Sequence, residues 1–515
     1  MFEVPRVGVG GDVAGGVRGV VGGVLGWLRG WLGDGRFEGL RLVVVTRGAV
    51  AAVEGEGVVD LAGAAVWGLV RSARAEYPGR LVLVDVEEGV VGSGLGEVLE
   101  SVVGSGVGEV AVRGGRLLVP RLVPAPVPAP VVEGVGVGFG EGTVVVSGAT
   151  GSLGRLVVRH LVAVHGVRSL LLLSRSGEGA VGASGLRAEL EGLGARVVFG
   201  AVDVADREAL AGVLGVARAE GPLVGVVHVA GVAWDGVLGE MGGERLERVL
   251  RPKVDGAWNL HELTRGDEVG VFVLYSSLAG LLGTAGQANY AAGNAFLDGL
   301  ASWRRAAGLP AVSMVWGLWE ESSGISGQLG EVDLRRLSRM GLRALSSREG
   351  VGLFDAALGS GEPVVALTGV DVGVLRAGGE QAPALLRSLV AVRRGRSAAG
   401  EREREREGGG GRLLGERVAG LSSLERVRVL TDVVQGVVAA ILGHEDVREV
   451  EADRAFQELG FDSLNAVELR NRLNALSGLR LANTVVFDYP SVTALAGYLD
   501  GQLTDRHTPT PHTLL

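Results

Sequence analysis

The sequence predicts an α/β protein whose parallel sheets are covered by helices on both faces, followed by a small helical bundle. Between residues 143 and 317, short apolar runs alternate with segments long enough for helices. Because these runs are continuously hydrophobic, they are typical of strands buried on both faces of a doubly wound sheet. From Leu424 to Leu499 the pattern changes to three or four short helices with no strand longer than NTVVF, which favours a bundle. The predicted strands of the central block are TVVVS (143–147), SLLLLS (169–174), ARVVFGAVD (195–203), LVGVVHVA (223–230), VGVFVLYSS (269–277) and AVSMVWG (311–317).

The N-terminal part repeats a strand, helix, strand rhythm and predicts a second, truncated α/β subdomain. RLVVVT (41–46) and LVLVDV (81–86) flank a helical pattern from Leu61 to Tyr77. No glycine-rich turn follows these strands directly, so we expect a structural role for this subdomain. The apolar run at 16–33 is interrupted by arginines and glycines, which favours a packed or interfacial helix over a membrane span.

Two segments of biased composition divide the chain. VPAPVPAPVV (123–132) favours an extended polyproline linker. The charge run and four glycines of RRGRSAAGEREREREGGGGR (393–412) cannot build a core. We therefore expect a structural subdomain at 1–122, a proline-rich linker at 123–141, a catalytic subdomain at 142–392, a flexible linker at 393–423, the bundle at 424–500 and a tail at 501–515.

Composition excludes several classes of function. The net charge of −9 leaves no dense basic stripe for nucleic acid. The absence of cysteine excludes disulfides, thiolate catalysis and cysteine metal sites, and fits a cytoplasmic enzyme. The N-terminus lacks the basic and apolar regions of a signal peptide. We expect neither a membrane nor a metal site.

A glycine-rich turn, in TVVVSGATGSLG, lies between the first strand of the central block and a helix predicted to begin near Ser152. Gly148, Gly151 and Gly154 would let the backbone approach a pyrophosphate at the helix N-terminus, where free N–H groups and the helix dipole favour anions. The position of the turn, more than its glycines alone, predicts a Rossmann-like dinucleotide site that also includes Thr150 and Leu153.

The end of the second strand of this block indicates which nicotinamide cofactor is used. Enzymes that use NAD commonly place an acidic residue there for the ribose 2′-hydroxyl, whereas LLSRSG offers Ser174 and Arg175, which suit a 2′-phosphate. The pattern favours NADPH. The alternative is that Arg175 is one more surface arginine.

Lys253 is the only lysine in the chain, since lysine and arginine together number 50 and the other 49 are arginines. Codon usage in a GC-rich genome explains why lysine is rare but not why this one remains. Lysine is a compact charge that its surroundings can tune, whereas arginine stays protonated. The alternative is an ordinary solvated surface lysine.

Three further polar residues indicate a reaction centre near this lysine. Ser277 ends the fifth predicted strand of the block, and Tyr290 and Asn294 share one face of the helix that follows. A phenol, with a reference pKa of about 10, donates a proton efficiently at neutral pH only if a nearby cation stabilises its anion. Lys253 is the natural candidate for that cation.

The central block resembles the short-chain dehydrogenases/reductases, specifically the ketoreductase domain of a modular type I polyketide synthase. The wider superfamily places the lysine four residues after the tyrosine, whereas these ketoreductases have asparagine there and the lysine far upstream, as in Lys253, Tyr290 and Asn294. AAVWGLVRSARAEYPGRLVLVDV similarly resembles the structural subdomain of such proteins. The matching motifs are SGATGSLG, VDVADREAL, VVHVAG, SSLAGLLGTAGQANYAAGNAFLDGL and WGLW.

The resemblance implies reduction of a β-keto group by NADPH. Tyr290 would protonate the forming alkoxide, Ser277 would hydrogen-bond the same oxygen, and Lys253 and Asn294 would position groups and support the charge of the tyrosine. The resemblance also implies that Asp203, Val204 and Ala230 contact the cofactor.

The resemblance extends to stereochemistry. B-type members, which give a D-hydroxyl, carry Leu-Asp-Asp after the fourth strand, and members that give an L-hydroxyl carry tryptophan eight residues before the tyrosine. AGVAWDGVL has Ala233 and Trp234 in place of the first two signature residues and keeps Asp235, while Leu282 occupies the tryptophan position. The resemblance therefore favours B-type, with an altered motif.

The C-terminal bundle resembles an acyl carrier protein. GFDSL, VELRNRL and VFDYPS match, and Ser463 lies at the predicted start of a helix. Ser463 would carry 4′-phosphopantetheine added by a separate phosphopantetheinyl transferase, although a serine at a helix start is more often a cap.

Three hypotheses follow. In the first, the chain is a ketoreductase with its carrier domain, and ketosynthase and acyltransferase partners elsewhere in the synthase extend the acyl chain. In the second, the reductase is inactive and the chain is a carrier and scaffold module; the retention of all four site residues argues against this. In the third, the chain is a free-standing reductase of small ketones; the carrier-like bundle argues against it.

Overall fold

A computed structural model describes residues 1–8, 10–90, 93–125, 139–320, 331–379, 382–390, 414–444, 446–482 and 484–505. Residues 126–138 and 391–413, where linkers are predicted, and 506–515 of the predicted tail lie outside these ranges. The chain forms two compact units, one of residues 1–330 and 337–390, the other of residues 331–336 and 391–515. The predicted fold class, Rossmann-like α/β with a C-terminal helical bundle, is confirmed.

The elements follow one another in the predicted alternation. The strands are β1 (Phe2–Glu3), β2 (Leu42–Arg47), β3 (Leu81–Val86), β4 (Glu109–Arg113), β5 (Arg116–Leu118), β6 (Thr143–Ser147), β7 (Ser169–Ser174), β8 (Arg196–Ala201), β9 (Leu223–His228), β10 (Val271–Ser277), β11 (Val312–Trp316), β12 (Leu342–Arg343), β13 (Val364–Leu367) and β14 (Gly369–Val370). The helices of the first 390 residues are α1 (Val13–Gly33), α2 (Leu61–Glu76), α3 (Ser93–Ser105), α4 (Ser152–Ala163), α5 (Ala183–Gly192), α6 (Arg207–Glu220), α7 (Gly243–Leu263), α8 (Leu278–Leu282), α9 (Ala288–Ala306), α10 (Glu331–Arg339), α11 (Ser347–Gly359) and α12 (Val372–Gly378). Those of the C-terminal part are α13 (Leu414–Val418), α14 (Ser423–Leu442), α15 (Ser463–Ser477), α16 (Val485–Asp488) and α17 (Val492–Asp505).

The N-terminal sheet has the order β1-β2-β3-β4-β5 in the described residues, with β1 to β4 parallel and β5 antiparallel to β4. The apolar runs at β2 and β3 are buried along their whole length except for the last residue of β2. The run at 16–33 lies within α1, whose valines and leucines pack into the core as a surface helix of the subdomain.

The second sheet contains seven parallel strands in the described residues, in the order β13-β11-β10-β9-β6-β7-β8. Its strand order reverses at β6, which pairs with β9 on one side and β7 on the other. Ligands of doubly wound sheets bind outside the carboxyl ends of the strands at such a switch point. The topology therefore places a crevice at the ends of β6 and β9.

The two subdomains share a helix pair, because α2 of the first packs along α9 of the second. Gly68 of α2 makes this approach possible: a Cβ there would lie 2.2 Å from the carbonyl oxygen of Ala291. Leu69 and Phe296 on the two helices are fully buried in the same core. The subdomain without a glycine-rich turn is thus packed directly against a helix of the predicted site.

On the opposite side of the second sheet, a polar cluster ties α11 to the end of α4. Asp355 Oδ1 lies 2.7 Å from His160 Nε2 and 2.8 Å from His165 Nε2. Burial opposes ionisation of this carboxyl, but the hydrogen bonds and charges of the two histidines outweigh it and lower the pKa of Asp355 to about 2. These separations are those of hydrogen bonds, and the cluster anchors the outer helix.

The C-terminal bundle begins earlier than the sequence predicts. Leu414 and Val418 of α13 are buried in the bundle core, although the predicted flexible linker extends to residue 423. The stretch NTVVF, where the sequence allows a short strand, includes the start of helix α16 instead. A capping box formed by Ser422 and Glu425 begins α14, which explains a helix start immediately after the linker.

Among the helices of the described residues, none is both long and apolar enough to span a bilayer.

Candidate active site

The glycine-rich turn after β6 forms a cradle at the switch point. Gly148 has φ of +68°, and a Cβ there would lie 2.8 Å from the main-chain nitrogen of Ala230. A Cβ on Gly154 would lie 2.2 Å from the carbonyl oxygen of Gly148. Both positions therefore exclude larger residues, as the sequence predicts for a turn that holds the backbone close to a phosphate.

The N-terminus of α4 opens onto this cradle. Gly151 is its N-cap residue and has no side chain to satisfy the first amide groups of the helix, which begins at Ser152 as predicted. Thr150 precedes the cap and its carbonyl accepts a hydrogen bond from Arg155. Leu153 packs partly buried against the core. Free N–H groups at a helix N-terminus fit an anionic pyrophosphate.

The neighbouring strand ends supply the remaining predicted cofactor positions. Ser174 ends β7, and its Oγ is buried without a hydrogen-bond partner in the described residues, while Arg175, which follows it, is exposed. Asp203 is exposed and accepts a hydrogen bond from the Ala205 amide. Val204 is buried beneath it. An unpaired hydroxyl beside an exposed guanidinium fits a phosphorylated ribose.

The predicted reaction centre draws on three elements at the same end of the sheet. Ser277 ends β10, and its Oγ accepts a hydrogen bond from the Ala279 amide at the start of α8. Tyr290 and Asn294 lie one turn apart on α9, where Asn294 Nδ2 donates to the Tyr290 carbonyl oxygen at 2.8 Å. Lys253 reaches them from α7.

Lys253 is a buried ammonium group rather than a surface lysine, since only 3% of the residue is exposed. Its Nζ donates to the carbonyl oxygen of Tyr275 at 3.0 Å and lies 5.3 Å from the ring centroid of Tyr290. Burial lowers the pKa of Lys253 to about 8, against the opposing charge of Asp298. Gly231 and Gly293 leave room for its chain, because a Cβ on either would lie 3.1–3.2 Å from it.

The proton affinity of Tyr290 differs from the sequence-based expectation. Burial raises the pKa of the phenol, while hydrogen bonds with Ser277 and Asn294 lower it and the charge of Asp235 raises it again. The sequence argument gives the stabilising role to the lysine cation alone. In the structure, the polar neighbours Ser277 and Asn294 supply the lowering interactions, and Lys253 lies at the ring.

Sequence reasoning missed Asp298, which lies two turns after Tyr290 on the same face of α9. Its Oδ1 accepts a hydrogen bond from Ser313 Oγ at 2.6 Å. Burial raises the pKa of Asp298 to about 6, although Ser313, Ser276 and nearby cations, including Lys253, act against this. The four-residue spacing of positions 290, 294 and 298 is the signal that could have found it.

A second missed residue is His228 at the end of β9. Its Nδ1 lies 2.7 Å from Ser147 Oγ. Burial, with the nearby charge of Lys253, lowers the pKa of His228 to about 3, so the imidazole is neutral and joins the ends of β6 and β9.

The predicted stereocontrol residues do not all lie together. Asp235 Oδ2 accepts a hydrogen bond from Gln287 Nε2 at 2.8 Å. This carboxylate therefore lies at the start of α9, the helix that carries Tyr290 and is called the tyrosine helix below. Trp234 faces the guanidinium groups of Arg245 and Arg248, 5.4 and 4.9 Å from the ring centroid. Leu282 instead ends α8 and packs in a separate apolar cluster with Leu278 and its neighbours.

In the C-terminal bundle, Ser463 is the first residue of α15 and is half-buried. The preceding Asp462 is the N-cap residue and accepts a hydrogen bond from the Asn465 amide at 2.8 Å. Because the aspartate caps the helix, the serine is not needed as the cap, which is the alternative role for a serine at a helix start.

Family comparisons match three parts of the chain. Residues 142–321 match the KR domain, residues 2–122 match the Rossmann fold domain of polyketide synthase extender module SpnB, and residues 432–499 match the phosphopantetheine attachment site.

Individual relatives extend these matches. Polyketide synthase GfsE of Streptomyces halstedii is 50% identical over 465 residues, which is 90% of this chain and 12% of that protein. The chain therefore spans a small part of such relatives. The ketoreductase from the first module of phoslactomycin biosynthesis in a Streptomyces species is 35% identical with a TM-score of 0.63, covering 72% of this chain and 84% of that one. An A1-type ketoreductase structure is 36% identical with a TM-score of 0.61, covering 68% and 73%.

Proposed function

We propose that this chain, which belongs to the modular polyketide synthases, uses NADPH to reduce a carrier-bound β-ketoacyl thioester to the D-hydroxyacyl thioester. The chain carries a ketoreductase domain, which is an oxidoreductase, ahead of a phosphopantetheine-attachment domain. The observation that carries this proposal is the convergence of Ser277, Tyr290, Asn294 and buried Lys253 near the carboxyl end of β10 in the second sheet.

When bound, the nicotinamide cofactor supplies a hydride to the β-carbon of the ketone. The chain supplies the proton: the Tyr290 hydroxyl donates to the oxygen that gains the negative charge. Ser277 donates a hydrogen bond to the same oxygen and orients the carbonyl. Because burial raises the pKa of Tyr290, the phenol is fully protonated before the reaction and ready to act as general acid.

Lys253 and Asn294 act on the tyrosine after it has lost its proton. The ammonium group of Lys253 lies close enough to stabilise a phenolate on Tyr290. Asn294 fixes the α9 backbone through its bond to the Tyr290 carbonyl and hydrogen-bonds the side chain. The tyrosine then regains a proton from solvent.

The choice of NADPH over NADH is supported by Ser174 and Arg175. Thr150 to Gly154, Asp203, Val204 and Ala230 would hold the rest of the dinucleotide. Comparing kcat/KM for the two cofactors tests the choice, and Arg175→Glu should reduce the preference for NADPH. Equal use of both cofactors by the unaltered protein would contradict it.

The D-configuration of the product is supported by Asp235, retained at the entrance to the tyrosine helix, and by leucine rather than tryptophan at position 282. The altered residues are Ala233 and Trp234. Reduction of a β-ketoacyl N-acetylcysteamine thioester, followed by chiral chromatography, tests this directly. A predominantly L-configured product would overturn it.

For the carrier, we propose that a phosphopantetheinyl transferase modifies Ser463 and that the thiol of the arm holds the acyl chain. Mass spectrometry after incubation with a transferase and coenzyme A should show one added arm, absent in Ser463→Ala. Ketosynthase and acyltransferase domains would supply the chain to be reduced.

The decisive experiment loads the modified protein with a β-ketoacyl chain and adds NADPH. The carrier-bound chain should gain two hydrogens, and Tyr290→Phe should prevent this. The second hypothesis, a reduction-inactive carrier and scaffold module, predicts an unreduced chain and no NADPH oxidation.

A further inference from the structure

Glu76 is a buried carboxylate of the first subdomain that reaches into the loops around the predicted reaction centre. It ends α2, and only 1% of the residue is exposed. Its Oε2 accepts a hydrogen bond from the amide of Leu238 at 2.8 Å, and its Oε1 accepts one from the amide of Gly286 at 3.0 Å. A single side chain therefore holds two backbone segments that are far apart in sequence.

Both segments adjoin residues of the predicted site. Leu238 lies three residues after Asp235, and Gly286 lies four residues before Tyr290. The two segments are also hydrogen-bonded to each other, because the amide of Gly236 donates to the Gly286 carbonyl oxygen at 2.7 Å. The two hydrogen bonds accepted by Glu76, here called the clamp, therefore close a small ring of hydrogen bonds. This ring joins the loop that contains Asp235, here called the stereocontrol loop, to the start of the tyrosine helix.

Helix α2 makes further contacts with the segment before Tyr290. Arg71 donates from Nη1 to the carbonyl oxygen of Gly280 at 3.0 Å, and Ser72 Oγ donates to the carbonyl oxygen of Thr284. Gly283 has φ of +72°, and a Cβ there would lie 2.4 Å from the Arg71 backbone. The segment is thus seated closely on α2 along its length.

We propose that Glu76 is a positioning residue for the reduction: it fixes the stereocontrol loop against the tyrosine helix, so the subdomain without the cofactor cradle helps to determine which face of the ketone is presented. This inference rests on the proposed function in assigning the loop of Asp235 a stereochemical role.

The chemistry of the clamp requires a carboxylate of this length. Two backbone N–H groups need two acceptor oxygens, which an ionised glutamate provides. Glutamine offers only one acceptor and turns an NH₂ group toward the second amide. Aspartate is shorter by one methylene group. An unpaired buried amide would be left in either case, and the loop would move to find another partner.

The test compares Glu76→Gln with two controls in the full chain. Glu54→Gln changes an exposed glutamate of the same subdomain, and Leu69→Ala removes apolar packing on α2 without removing any of the hydrogen bonds made by Glu76. The readouts are thermal stability, the ratio of hydroxyl stereoisomers from a β-ketoacyl N-acetylcysteamine thioester, kcat and KM separately, and amide exchange of residues 234–241 and 283–290.

Glu76→Gln should increase amide exchange in both segments, raise the fraction of the minor stereoisomer, and reduce kcat/KM by roughly tenfold to a hundredfold, as misplacement of reacting groups does. Leu69→Ala should reduce thermal stability but keep the isomer ratio, and Glu54→Gln should match the unaltered protein. An unchanged isomer ratio and unchanged exchange in Glu76→Gln would overturn the proposal.

Two measurements on the unaltered protein keep the inference independent of variant folding and of the proposed function. If Glu76→Gln does not fold, slow exchange of the Leu238 and Gly286 amides in the unaltered protein supports the clamp, and fast exchange of both overturns it. The isomer that the unaltered protein makes decides the D-configuration by itself, whereas Glu76 is judged by the change in that ratio.

Discussion

The two sheets of the first unit share an architecture, but their carboxyl edges are filled differently. At the edge of the N-terminal sheet, buried Asp85 accepts hydrogen bonds from Thr46 Oγ1 at 2.7 Å, from the Ala49 amide at 2.9 Å and from Arg113 Nη2 at 2.7 Å. At the edge of the second sheet, the glycine-rich turn leaves backbone amides at the α4 N-terminus without such a partner.

The difference shows what converts a doubly wound sheet from a structural element into a binding site. In the first sheet, the protein supplies its own anion, Asp85, to the turn after β2, and Trp67 closes over it by donating to Thr46 Oγ1 at 2.8 Å. In the second sheet, the corresponding turn is rich in glycine, and we propose that a phosphate of the cofactor binds there. The topology is common to both, and the side chains at the edge decide the function.

Tyr290→Phe gives the largest expected effect. It tests whether the chemistry is confined to the carboxyl edge of the second sheet, called the open edge below. Removing the phenol hydroxyl removes the proton donor, so kcat should fall by roughly a hundredfold to ten-thousandfold. Thermal unfolding should change little. Tyr77→Phe, outside the predicted site, is the matched control and should keep normal turnover. Near-normal kcat in Tyr290→Phe would remove this residue from the proposed mechanism.

Asp85→Asn tests the carboxyl edge of the N-terminal sheet, where Asp85 accepts the hydrogen bonds described above. It removes the buried one of the two carboxylates that pair with the Arg113 guanidinium, the other being Glu56, so the free energy of unfolding should fall by about 3 kcal/mol, the low end for a broken buried pair. The KM for NADPH should stay the same in the folded fraction. Glu189→Gln, which breaks an exposed pair with Arg159, should cost less than about 1 kcal/mol by denaturant titration. A raised KM in Asp85→Asn would contradict a purely structural edge.

Lys253→Arg tests the tuned charge at the open edge. Arginine keeps the charge but changes its shape and hydrogen-bond directions, so turnover should fall by roughly tenfold through misplacement, with a smaller change in thermal stability. Because burial lowers the pKa of Lys253 to about 8, kcat of the unaltered protein should decline as the pH rises through about 8. The arginine variant should lack that decline. Normal turnover with an unchanged pH profile would make Lys253 incidental.

Asp355→Asn gives the smallest expected effect and tests the back of the open sheet. The pKa of Asp355 is lowered to about 2, so its ionised form stabilises the folded state at neutral pH, and this contribution is lost as the pH falls from about 4 to about 2. Removing it should cost on the order of 1 kcal/mol at neutral pH and reduce the sensitivity to acid. Identical acid unfolding curves for the variant and the unaltered protein would contradict this role of the His160 and His165 bonds.

The strands β2, β3 and β6 to β11 could be predicted from sequence because each contains a continuous apolar run. The strands β1, β4, β5 and β13 were not predicted, because they are short or include charged residues. The turn at Gly148 could be predicted because glycine, strand and helix signals coincide there. The clamp by Glu76 could not be predicted, since its partners at 238 and 286 are backbone amides brought to it only by tertiary packing. The proton affinity of Tyr290 was likewise beyond a sequence argument, because burial, which dominates it, is a property of the assembled core.

The bundle shows the same limit at its first helix. Leu414 and Val418 follow a run of charged residues and glycines, so the sequence around them gives little sign of a helix. They are buried by residues of later helices in the same core. A pattern of five residues is too short to predict such a helix from periodicity.

The close approach of α2 and α9 at Gly68 has a consequence for engineering synthases by recombination. The proline-rich stretch at 123–132 separates the two subdomains in sequence and is an obvious place to join parts of different synthases. The subdomains on either side of it pack so closely, however, that Gly68 has no room for a Cβ against α9. We expect hybrids that join subdomains of two different parents at this stretch to be poorly soluble. The two sheets should be transplanted as a single cassette.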